Sequence, residues 1–120
     1  MNWTGQFVLY SVMLLATPAL ADMGKTAEPL KAPPGSKAET HINTGIEHYD
    51  MGHWDVAKNH FLEAEKADLQ SAEAHYNVAL VLDKTGDHVG ATTHFKRAKE
   101  LGKNNADIQN SEILNKHVKM

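Results

Sequence analysis

Cysteine is absent from the 120-residue chain. That excludes disulfides, thiolate zinc sites, haem attachment through thioethers and a lipid anchor on cysteine. Aromatic residues make up only 7%, and a β-sandwich or barrel would draw on more of them and on more β-branched side chains. All four prolines lie before residue 35, so none interrupts a helix beyond that point. There is no excess of basic charge. The formal net charge is -3 with His neutral, which leaves no positive field to attract nucleic acid. Long hydrophobic runs are missing too: the most apolar stretch, Phe7 to Ala16, falls well short of the roughly 20 residues that span a membrane. What remains, 42% hydrophobic and 22% charged, suits one globular domain.

Met1 to Ala21 carries no Asp, Glu, Lys or Arg. Pro18 follows the apolar run, and Ala19-Leu20-Ala21 places small residues where a signal peptidase requires them. This pattern predicts a signal peptide over 1–21, cleaved after Ala21, and a periplasmic or secreted mature protein. The alternative is an anchor formed by the uncleaved signal, since the segment before the apolar run offers only the terminal amine as a positive charge. After cleavage no apolar stretch could span a membrane. Residues 22–35 hold Pro29, Pro33 and Pro34 among small and charged residues, a composition expected to form a flexible linker. Ser36 and Glu39 have capping-box spacing and predict a helix start.

The chain repeats itself. Ala38, Glu39, His41 and Asn43 recur as Ala72, Glu73, His75 and Asn77. Gly52, Ala57, His60, Phe61 and Ala64 recur as Gly86, Ala91, His94, Phe95 and Ala98. The offset throughout is 34 residues (72 − 38). Apolar residues at three- and four-residue steps predict helices over 37–50, 54–67, 72–84, 88–101 and 106–118. Gly52 and Gly86 stand where the periodicity stops, and Asp87 is placed to cap the following helix.

A 34-residue period with this content resembles the tetratricopeptide repeat. Repeat one would cover 38–71, with Gly45 at the close-packing site, and repeat two 72–105, with Val78 and Ala79. A capping helix would follow over 106–118, the whole domain occupying 36–120. His41 and His75 replace the family's early aromatic residue, Thr44 replaces a leucine, and Leu69 and Lys103 stand where a proline commonly ends a repeat. The resemblance implies an all-α, right-handed stack of αα-hairpins that binds a partner protein or peptide without catalysis. Its concave groove would be lined by Ile42, Ile46, Tyr49, Tyr76, Leu80, Asp83 and Leu114, with Glu39, Asp50 and Glu73 along the rim. Asn43 and Asn77 occupy the family's common Asn position. A clamp for a terminal carboxylate is not expected, because Ile42 and Ile46 stand where its cations would be. With two and a half units the stack should be marginal, so a homo-oligomer is also expected to be within its reach.

No catalytic residues are expected. The chain has no H-E-x-x-H, no phosphate-binding Gly-rich loop and no G-x-S-x-G. No metal site or cofactor is expected either. Eight histidines are present, but no two lie three or four residues apart, as a ligand pair on one helix would. Two other readings stay open beside the interaction module: a His-rich metal-handling protein, and a structural subunit that self-associates by stacking repeats.

Overall fold

The computed structural model describes residues 27–119; the expected signal peptide lies outside them. Two helical hairpins follow one another. Helices α1 (Glu39–Asp50) and α2 (Trp54–Ala67) form the first, α3 (Ala72–Lys84) and α4 (His88–Leu101) the second. α2 packs on α3 and joins the hairpins, and α4 carries the C-terminal pair α5 (Ala106–Gln109) and α6 (Glu112–Val118). Among the described residues there is no strand, and no helix is long and apolar enough to cross a membrane.

The 34-residue repeat is visible in the hydrogen bonds. Gly52 has φ +77° and Gly86 φ +92°, a region that side chains with a Cβ avoid. Each ends its helix in the same way. His53 N–H donates to the His48 carbonyl at 2.9 Å, and Asp87 N–H to the Leu82 carbonyl at 2.8 Å. This six-residue closure satisfies carbonyls that the helix leaves free. Side chains then start the next elements: Ser71 caps α3 through Ala74 N, Asp87 caps α4 through Gly90 N, and Asn105 caps α5.

The second helix of each hairpin buries the same three positions. Ala57, Phe61 and Ala64 in α2, and Ala91, Phe95 and Ala98 in α4, are all fully buried. Small residues at either end let the helices approach, and the phenyl ring fills the space between. In the first hairpin the ring lies against Gly45.

Two boundaries differ from the sequence reading. The capping box at Ser36 does not form. Ser36 N–H is already donated to the Pro33 carbonyl, Ala38 takes the cap position, and the Glu39 carboxylate reaches further back, accepting from Gly35 N at 2.7 Å. The Ser36 hydroxyl is left buried without a partner. The C-terminal helix expected over 106–118 is two helices. Ser111 interrupts it by accepting from Leu114 N at 3.3 Å while its hydroxyl meets the Tyr76 hydroxyl at 2.8 Å, so the chain restarts at a new N-cap.

Residues 27–35 are not held away from the body. Ala27 and Leu30 pack on the main core, and Ala32 is buried with Ala38, Ile42, Ala64 and Ala74. The expectation of a loose linker came from composition alone. The structure supplies the partners that composition could not reveal.

Candidate functional site

The face shared by α1 and α3 is where the N-terminal segment lies. At its centre is Asn77, fully buried in the middle of α3. Leu30 N–H donates to Asn77 Oδ1 at 2.7 Å, and Asn77 Nδ2 donates to the Leu30 carbonyl at 2.8 Å. Both main-chain groups of one residue therefore meet a single side-chain amide. Extended backbone turns those two groups the same way, as an antiparallel strand does at its hydrogen-bonded positions. A second anchor lies beside it, where the Tyr49 hydroxyl donates to the Ala27 carbonyl at 3.4 Å. Burial first, and then the negative charges of neighbouring groups including Asp83, Asp50 and Glu28, push the Tyr49 hydroxyl up to about 12, so it remains a donor at any physiological pH.

The sequence-selected groove residues divide into three groups. Ile42 and Tyr49 of α1, and Tyr76 and Leu80 of α3, are buried, with Ile46 half-buried. Ile42 and Ile46 pack with Ala32 and Tyr49 meets Ala27, whereas Tyr76 turns to Ser111 and Phe95 and Leu80 belongs to the main core on which Ala27 and Leu30 pack. Leu114 lies elsewhere: it is fully buried where α6 packs on α4, because the restart at Ser111 turns the apolar side of α6 inward. Asp83 is already engaged. Its Oδ1 accepts from His88 Nδ1 at 2.9 Å and from His117 Nε2 at 2.8 Å, which ties α3, α4 and α6 together. Among the rim carboxylates, Glu39 serves Gly35 and Glu73 accepts from Asn105 at 3.1 Å.

Asn77 was singled out only as a family position, and its role on a peptide backbone was not legible in spacing. Asn43, its counterpart one repeat earlier, is exposed. The difference arises because the segment crosses α3 at Leu30, which is 47 positions from Asn77. No local pattern reports such a contact.

Comparison with known families decides what kind of scaffold this is. The model of the tetratricopeptide repeat matches residues 42–106, more than half of the chain. The chain belongs to the tetratricopeptide repeat family. Comparison with curated proteins returned no match. Tetratricopeptide repeats are generally non-catalytic modules for protein–protein interaction, and the two hairpins described above are its units. Within this tetratricopeptide fold, two groups of three side chains bring ligand atoms close together: Glu65, His75 and His94, and Asp83, His88 and His117. Spacing along one helix had argued against metal ligands, but here each group draws on more than one helix.

Proposed function

We propose that this tetratricopeptide protein is an exported, non-catalytic adaptor whose α1–α3 groove takes an extended peptide, and that its own residues 27–35 occupy the groove until a partner displaces them. Export would proceed through residues 1–21, which have the composition of a cleaved signal. The observation that carries the reading is the paired hydrogen bond between Asn77 and the Leu30 backbone. An amide that holds main chain rather than a side chain accepts many sequences, and apolar anchors on either side supply selectivity, as in other modes of extended-peptide recognition. A segment tethered next to the groove has a high effective concentration and needs little intrinsic affinity to fill it.

The test uses the full chain carrying Leu30→Asp, which should free the segment without entering the core, since Leu30 is only half-buried. A fluorescent peptide spanning residues 27–35 should bind this opened chain measurably better than wild type. Adding Asn77→Ala in the same background should remove the binding. If the opened, helical chain bound no extended peptide, neither its own nor any recovered with it from exported proteins, the reading would fail.

A further inference from the structure

Three helices converge on one point at the junction between the hairpins, away from the groove. Glu65 comes from the end of α2, His75 from the first turn of α3 and His94 from the middle of α4. His75 Nδ1 lies 3.4 Å from His94 Nδ1 and 3.4 Å from Glu65 Oε1. His94 Nδ1 lies 3.3 Å from Glu65 Oε2. Ligand atoms held about 2.0–2.2 Å from one tetrahedral ion stand about 3.3–3.6 Å from each other. The separation of the two imidazole nitrogens agrees with that spacing; Glu65 meets it with Oε1 toward His75 and with Oε2 toward His94, and one ligand atom from each residue lies within 4.8 Å of the other two.

The protons support the same centre. His75 Nε2 sits 3.4 Å from the Leu69 carbonyl. A carbonyl only accepts, so the ring proton belongs on Nε2 and Nδ1 turns a lone pair toward the other two groups. Fixing a ligand imidazole through its far nitrogen is what outer partners do in metal sites. Burial, the largest influence, lowers the His75 pKa in spite of Glu65, and the neutral ring is the form that binds metal. Glu65 Oε2 is buried, and no donor meets it at a hydrogen-bonding angle, although His94 stands beside it.

We propose that Glu65, His75 and His94 bind one divalent transition-metal ion of the zinc type. Two imidazoles with one carboxylate suit zinc and its neighbours rather than magnesium or calcium, which require oxygen shells. The side chains of Glu65 and His94 are 19% and 24% exposed, and Glu65 lines an open depression with Asn59, Leu62 and Leu69. That leaves solvent access to the carboxylate and to His94. The bound ion would tie the second helix of repeat one to both helices of repeat two, reinforcing the interface on which a repeat stack depends.

The other cluster is arranged differently. His88 and His117 both aim at one oxygen of Asp83, at 2.9 and 2.8 Å, which is the spacing of two N–H donors sharing an acceptor. In the first hairpin the rings of His41 and His60 are 6.3 Å apart, and that pair joins no group of three among the described residues.

Titration calorimetry of the metal-stripped full chain with zinc chloride tests the site. Wild type should show one event at one ion per chain. His94→Gln should weaken it by at least about 10–100-fold, the range seen when mere outer partners are lost, and His88→Gln should leave it unchanged. Zinc at about 100 times its dissociation constant should raise the wild-type Tm by about 10 °C, and should not do so for His94→Gln. Circular dichroism checks each fold, and Glu65→Gln, which keeps the side-chain shape, decides if His94→Gln unfolds. Absence of a stoichiometric event in wild type overturns the proposal. So does unchanged affinity in a folded His94→Gln or Glu65→Gln chain, or a loss confined to His88→Gln.

Discussion

A Cβ placed on Gly45 would overlap the Phe61 ring, and Phe61 has no room to retreat because it is fully buried. Gly45→Ala should therefore destabilise the fold by about 1–3 kcal/mol, the usual cost of overpacking a core, although alanine favours helix over glycine by about 1 kcal/mol in an open position. Urea denaturation would show the midpoint moving down; a midpoint that moved up would mean that helix propensity outweighs the close approach. The same substitution is already present one repeat later, where Ala79 is fully buried. The two hairpins thus solve one packing problem with different side-chain sizes. At this scale the sequence was informative wherever a residue acts through its own volume, as Gly45, Ala57 and Ala91 do. It did not reveal what Asn77 and Glu65 do, because their roles depend on atoms supplied by distant parts of the chain.

At the scale of elements, α2, α3 and α4 begin and end where periodicity and turn glycines placed them. Their signals are local: a cap before, an apolar stripe within and a positive-φ glycine or a loss of pattern after. The C-terminal segment shows the limit of that reasoning. Asn110-Ser111-Glu112 offers a cap, but no proline or glycine breaks the stretch from Ala106 to Val118, and nothing local selects between continuing and restarting. Tyr76, 35 positions away, selects by meeting the Ser111 hydroxyl. Ser111→Ala removes both the cap on α6 and the partner of a buried phenol. It should cost about 1–2 kcal/mol, with amide exchange accelerating first over Glu112–Val118. Uniform acceleration across the six described helices would instead mean that α6 does not open separately.

For the whole molecule, acid acts through the junction of the hairpins. His75 titrates below its usual 6.5, chiefly because it is buried. The unfolded chain therefore takes up a proton that the folded chain resists, and the stability present above about pH 6.5 declines as pH falls below it. At Glu65 burial would raise the pKa, but contact with His94 and the charges of His75 and His94 hold it below 4.5. Its contribution is present above that value and is lost as pH falls further. The unfolding free energy of the metal-free chain, from urea denaturation, should be level from pH 8 to 7 and drop toward pH 5, with a slope below about 1.4 kcal/mol per pH unit for each proton taken up. His75→Phe should flatten that drop; an equally steep decline in the variant would assign it to other groups. The sequence by itself determined the helical class, the two repeats and the identity of the packing residues, because helix periodicity, small-residue spacing and turn glycines are written within a few positions of where they act. Only the tertiary structure decided that residues 27–35 lie across α3, that the last helix breaks at Ser111, and that Glu65, His75 and His94 face one another. Each of those contacts joins side chains from separate elements, and the path that brings them together is a property of how whole helices pack rather than of any local stretch of chain.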